Sequence, residues 1–190
     1  MRVIAGSARR LLLTSPPGFE TRPTSDKVKE TLFNILMPYI YTDTGFLDLF
    51  AGSGAIGIEA FSRGAGEAVF VENSKEAVSC INKNLNTTHF TDSATVMYCD
   101  VMTALKRLEG KRVYDIIFMD PPYSRHYEKA VLEYLSSSMI VADDTLIVVE
   151  ADRSTDFDYV AGLGFETVKY KEYKNNCHLF LKRIQKTEVI

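Results

Sequence analysis

Several features are scarce or missing from this chain, and each absence excludes something. Cysteine is the first: Cys80, Cys99 and Cys177 are odd in number, far apart, and include no C-x-x-C pair. That argues against a disulfide framework or a zinc site, and points to reduced thiols in a cytoplasmic setting. Long apolar runs are missing too. Ile116–Met119 and Leu146–Val149 are among the longest, far below the ~20 residues a membrane-spanning helix needs. Residues 1–10 hold no apolar core of signal-peptide length, so neither export nor a membrane partner is expected. The three histidines, His89, His126 and His178, do not cluster, and no metal site is proposed. Internal repeats and low-complexity segments are also lacking.

Net positive charge is the remaining absence. Twenty-two Lys and Arg face 25 Asp and Glu, for a formal charge of −3. On that sum the chain does not look like a nucleic-acid binder. Placed along the chain, however, the charges segregate: six basic against three acidic residues over 1–30, the same over 165–190, and ten against nineteen between. A phosphate-contacting surface needs only a local positive patch. Ordinary solvated faces would give the same modest excess.

What is present fits one globular domain: 190 residues, 46% hydrophobic and 25% charged. A chain of this size can bury roughly 70% of its unfolded surface without staples. Apolar runs at 46–50, 67–72, 95–99, 114–119 and 145–150 alternate with helical periodicity at about 55–63, 75–86, 102–109 and 127–138. This predicts an α/β fold, a doubly wound, Rossmann-like parallel sheet. The tail reads as an antiparallel hairpin, 165–173 and 177–181, bringing the sheet to seven strands. Apolar residues at 28, 32, 35, 36 and 39 predict a helix face ahead of the sheet, ending near Met37–Pro38. Residues 1–23 form an N-terminal hairpin-like basic arm on this reading, and residues 24–190 the main domain with its leading helix.

The first predicted strand runs into Gly52-Ser53-Gly54-Ala55-Ile56-Gly57, a G-x-G-x-x-G pattern. Glycines there let the backbone turn tightly and approach a ligand, and the next helix offers unpaired N–H groups. Asp48 sits inside the apolar strand itself, where a buried carboxylate must be paired or bound to something. Glu72 closes the second strand, where an acid can accept hydrogen bonds from ribose hydroxyls, and Asp100 follows the third, where it could meet an adenine amino group. Solvated strand ends and helix caps are also often acidic, so each is ambiguous by itself.

Asp120-Pro121-Pro122-Tyr123 follows the fourth strand. Two prolines fix φ and remove N–H donors, leaving carbonyls as acceptors in a stiff loop. Acceptors around an exocyclic base amine favour a pyramidal nitrogen with its lone pair outward. The Asp120 carboxylate and the Pro121 carbonyl suit that task. Tyr123 offers a face for a base to stack on, worth about 1–3 kcal/mol in comparable sites. A plain strand-ending turn is the alternative.

The order of glycine loop, two strand-end acids and D-P-P-Y resembles the S-adenosylmethionine-dependent amino methyltransferases. With Arg22-Pro23-Thr24-x-Asp26-x-Val28-x-Glu30-Thr31-Leu32-Phe33-Asn34, Leu47–Gly54, and Glu59-Ala60-x-Ser62-Arg63-Gly64-Ala65, the chain resembles the bacterial RsmD family over about residues 2–183. That family methylates the N2 amine of one guanine in small-subunit ribosomal RNA. The resemblance implies S-adenosylmethionine as cofactor, held by Asp48, Gly52, Ser53, Gly54, Glu72, Asp100 and Val101. It implies catalysis by Asp120, Pro121, Pro122 and Tyr123, and a substrate of ribosomal RNA or the small ribosomal subunit particle. Arg9, Arg10, Arg22 and Lys27 are candidates for gripping RNA phosphate. Thr24 is placed near the pocket, with a helix cap as its other reading.

Three other functions compete. A DNA adenine-N6 methyltransferase shares D-P-P-Y but usually adds a recognition module, for which 190 residues leave little room. A nicotinamide-dependent oxidoreductase shares the glycine pattern but leaves D-P-P-Y unexplained. A non-catalytic RNA-binding module would have no use for Asp120 and Tyr123 together.

Overall fold

The computed structural model describes residues 1–16, 25–122 and 127–185. Helix α1 (Asp26–Leu36) precedes strand β1 (Gly45–Asp48), and then α2 (Ala55–Ser62), β2 (Glu67–Glu72), α3 (Lys75–Thr88) and β3 (Ala94–Tyr98) alternate. Next come α4 (Val101–Leu108), β4 (Ile116–Met119), α5 (Tyr127–Leu135) and β5 (Leu146–Asp152), closed by the hairpin β6 (Phe165–Glu172) and β7 (Asn176–Arg183). The sheet order is β3-β2-β1-β4-β5-β7-β6, with β7 antiparallel to both its neighbours. The order reverses between β1 and β4, the switch point at which open α/β sheets bind ligands.

The apolar runs become strands because helices cover both faces of the sheet. Alternation then sorts side chains into two cores. Phe46, Phe70, Phe118, Val148 and Phe180 pack with the arm and with helices α1, α2 and α3. Leu47, Val69, Ile117, Met119, Ile147 and Leu179 pack on the opposite face with α4 and α5.

The arm is a hairpin over its first thirteen residues. Arg2 bridges Leu12 in antiparallel fashion, and Arg10 N–H donates to Val3 C=O at 2.9 Å. Val3, Ala8 and Leu13 enter the main core, so this part of the arm is packed rather than extended into solvent.

Helix α1 differs from the expected pattern. Its buried face is Lys29, Leu32, Phe33 and Leu36, with Val28 and Ile35 only half-buried. The helix is rotated by about one residue because Lys29 has a partner 30 positions away. Glu59, fully buried in α2, takes the Lys29 ammonium at 3.2 Å and Arg63 Nε at 2.8 Å. It also accepts the backbone N–H groups of Ile4 (2.8 Å) and Ala5 (3.0 Å). Lys29 donates in addition to Arg2 C=O at 2.6 Å. One carboxylate therefore clamps the arm, α1 and α2 together, which gives the Glu59-Ala60-x-Ser62-Arg63 segment a structural reason. Ser62 joins it, accepting Ala8 N–H at 2.9 Å.

Removing one member of such a buried cluster leaves the others charged and uncompensated. Glu59→Ala is expected to cost about 3–5 kcal/mol in urea unfolding. An effect below about 1 kcal/mol would show that the clamp is not what holds the arm.

Candidate functional site

The candidate active site is assembled at the carboxyl ends of β2, β1, β4 and β5. The loop after β1 is held from both sides: Leu49 N–H donates to Phe118 C=O of β4 at 2.9 Å, and Ala51 N–H to Val71 C=O of β2 at 3.0 Å. Gly52 (φ 55°) and Gly54 (φ 76°) take left-handed conformations, and Gly54 caps α2. Among the described residues, none beyond Gly52's chain neighbours has an atom within 4 Å of where a Gly52 side chain would begin, so the loop faces open space there. Gly57 serves packing instead, since a Cβ would come 2.4 Å from the Phe70 ring.

Glu72 is the strut of this loop. One carboxylate oxygen accepts Gly52 N–H at 2.8 Å, and the other accepts Asn73 and Ser74 N–H at the start of α3, each at 2.8 Å. Ser53 is held by Asn84 of α3, whose Nδ2 donates to Ser53 C=O at 2.9 Å and to Thr14 C=O at 3.0 Å. Asn84 Oδ1 accepts Thr14 N–H at 2.9 Å. The glycine loop and the arm thus share one buried amide.

Asp48 is 1% exposed. The backbone N–H groups of Gly57, at a long 3.4 Å from Oδ2, and of Phe50 face its carboxyl, and its Oδ1 has no hydrogen-bond partner at ordinary distance among the described residues. Burial, and then the charge of Glu72, pushes its carboxyl up to about 7. An orphaned buried acceptor beside an open glycine loop fits a ligand that brings its own donors or positive charge.

Asp120 follows β4, with Pro121 buried and Pro122 exposed. Register sets this corner beside the loop, because β1 and β4 are paired with Asp48 opposite Phe118. Burial, then the charges of Glu150 and Asp48, hold the Asp120 carboxyl well above the usual carboxylate range. Asp100 is engaged differently. It is the exposed N-cap of α4, accepting Thr103 N–H at 2.9 Å and Thr103 Oγ1–H at 2.6 Å, and these bonds hold its carboxyl low. Val101 begins the same helix. Tyr123, Arg22 and Thr24 lie outside the described residues.

Arg9, Arg10 and Lys27 are brought together where the arm meets α1. They line a cleft of about 490 Å³ between arm and α1, together with Arg2, which spacing did not single out. Asp26 and Glu30 line it too, and Arg2 pairs with Asp26 at 2.9 Å. Among the described residues no helix is long and apolar enough to cross a membrane.

Comparison with known proteins agrees with this layout. The family described as Conserved hypothetical protein 95 matches residues 1–182. The Ribosomal RNA small subunit methyltransferase D of Escherichia coli is 38% identical over 152 residues, 80% of this chain and 75% of that one. Its Haemophilus influenzae counterpart is 36% identical over 156 residues, 80% and 79%. The chain belongs to the RsmD family. Among solved structures, the E. coli yhhF protein superposes with a TM-score of 0.82 at 32% identity, covering 96% of this chain and 97% of that one. The SMU.776 structure, complexed with SAH, has a TM-score of 0.64 at 16% identity, covering 83% and 48% of the two chains. At that identity it shares the fold alone.

Two elements of this RsmD-family site were not foreseen. Asn84 is a polar residue on the buried helix face between Ile81 and Leu85, which is a signal in itself. Glu150, buried beside Asp120, interrupts the apolar strand β5, and its partner His178 interrupts the continuous buried run Cys177–Leu181 of β7.

Because burial pushes the Asp48 carboxyl up to about 7 in the fold, above the ordinary carboxylate range it returns to when unfolded, it lowers stability as pH rises between those values. The penalty is complete above pH 7 and absent below about 4, and amounts to no more than about 4 kcal/mol. Asp48→Asn should therefore raise the melting temperature of the ligand-free protein at pH 8 and leave it nearly unchanged at pH 4. Equal effects at both values would contradict this reading of Asp48.

Proposed function

We propose that this chain is an S-adenosylmethionine-dependent ribosomal RNA methyltransferase, and that its acceptor is the exocyclic N2 amine of a guanine in small-subunit RNA. The observation that carries the reading is the adjacency of the Asp120-Pro121 corner to the glycine loop across the β1–β4 pairing. A donor seated on the loop and an amine held at the corner would share one cleft. Relatives named as small-subunit ribosomal RNA methyltransferases support the substrate class, and the D-P-P-Y resemblance supports the amine.

The residues present fit the cofactor. Gly52 leaves room for it, Glu72 has lone pairs toward the loop, and the unpartnered Asp48 Oδ1 suits a cationic ligand. When bound, the cofactor supplies a methyl group made electrophilic by a sulfonium, which leaves with its bonding electrons on sulfur. The chain's part is alignment, for which well-oriented reactants contribute about 7–11 kcal/mol. Asp120 and the Pro121 carbonyl hold the two amine hydrogens, so that the nitrogen lone pair faces the donor. Asp120 also sits where positive charge develops on that nitrogen. The prolines keep the acceptors from relaxing toward solvent. Tyr123 stacks on the base. Arg9, Arg10 and Lys27, with Arg2, contact phosphate at the arm cleft, and Arg22 and Thr24 are assigned to the same RNA path. Asp100 and Val101 meet the adenine edge, Asp100 through the lone pairs that its capping bonds leave.

The test is transfer of labelled methyl from S-adenosylmethionine to small-subunit RNA or its particle, followed by nucleoside mass spectrometry. N2-methylguanosine is expected, with a loss of at least about 10³-fold in Asp120→Ala. No transfer to RNA, with N6-methyladenine formed when duplex DNA is offered instead, would replace this reading with the DNA-type alternative. Full activity in Asp120→Ala would refute the role of the corner.

A further inference from the structure

Beside the proline corner lies a buried polar network that the reaction as described does not use. His178 on β7 is fully buried, its ring edge-on to Phe118, Phe180 and Tyr173 at centroid distances of 6.4, 6.3 and 5.0 Å. Its Nε2 lies 2.9 Å from Glu150 Oε2, and its Nδ1 lies 3.1 Å from the Tyr173 hydroxyl. Asn176 Nδ2 donates to the other Glu150 oxygen at 2.5 Å. Both carboxylate oxygens of Glu150 are therefore held from β7.

Register carries this network to the site. Glu150 is opposite His178 across the β5–β7 pair, and Met119 is opposite Val149 across the β4–β5 pair. Glu150 is thus the next rung beyond that last pair, alongside Asp120. Burying a carboxylate among aromatic rings costs several kcal/mol, and an apolar side chain there would be neutral or stabilising. Glu150 is nonetheless buried there, held by His178 and Asn176, and the group it faces is Asp120.

We propose that Glu150, oriented by His178 and Asn176, is a positioning residue for Asp120 that keeps the corner carboxylate a strong proton acceptor for the amine being methylated. The proposal rests on the methyltransferase reading above. When the amine nitrogen forms its bond to carbon, an N–H bond must break with its electrons returning to nitrogen. The proton passes to the Asp120 carboxylate and from there to water. Two carboxylates side by side out of water hold a proton more tightly than either would alone. The groups facing Asp120 are Asp48 from β1 and Glu150 from β5. Those facing Glu150 are His178 and Asn176 from β7, with Tyr173 behind His178.

The direct test is carboxyl-carbon NMR of the ligand-free protein, which needs no activity. In the native chain the Asp120 carboxyl should titrate well above the ordinary range, and in Glu150→Gln its midpoint should fall by about one pH unit or more. Turnover on RNA should fall about tenfold, with the acid limb of kcat moved to lower pH and S-adenosylhomocysteine affinity within about twofold of native. Asn176→Ala, which removes one donor and keeps the carboxylate, should move the same midpoint less, and serves if Glu150→Gln does not fold. An Asp120 midpoint unchanged in the folded variants would overturn the proposal. If the native protein methylates no RNA while the midpoint still shifts, the functional reading fails but the coupling of the two carboxylates stands.

Discussion

At the carboxyl edge of the sheet, Asp48 and Glu150 are buried and Asp120 is half-buried on three adjacent strands, near enough for the charge of one to change the protonation of the next. Each burial is unfavourable by itself. Among the described residues one Asp48 oxygen has no hydrogen-bond partner, and Asp120 is held above its ordinary range by burial and by its two acidic neighbours. A fold arranged only for stability would place apolar side chains at these positions. The unfavourable charge is concentrated where strand order reverses, and a cationic methyl donor and a nitrogen that becomes positive are the species that would relieve it.

The rest of the molecule fixes the geometry of that edge. Glu72 holds the glycine loop by the Gly52 N–H, and Asn84 holds the same loop through Ser53 while gripping Thr14 of the arm. Glu59 locks the arm's other strand to α1 and α2. The basic cleft between arm and α1 is consequently tied to the loop through buried polar bonds. The arm cleft and the glycine loop therefore cannot drift independently.

Much of this was legible in the residues. Strands β1, β2, β4 and β5 fall within one or two positions of the apolar runs because they are buried on both faces, where most residues are apolar. The glycine loop and proline corner announce themselves because backbone conformation dictates residue type there. What could not be read was pairing across the fold. The buried face of α1 is rotated because Lys29 meets Glu59, a partner that no helical periodicity encodes. His178 and Glu150 lie 28 positions apart and meet only because the hairpin inserts β7 next to β5. Asp100, readable as either a ligand contact or a cap, is in fact a cap in the fold, and its assignment to the adenine edge draws on the lone pairs that remain.

The central claim is that one cleft serves both donor and acceptor. A crystal structure with S-adenosylhomocysteine bound tests it most directly. The account predicts the ligand lying across Gly52–Gly54, its ribose toward Glu72 and its sulfur turned to Asp120 and Pro121. Density for the ligand elsewhere, or with its sulfur turned away from the corner, would contradict it.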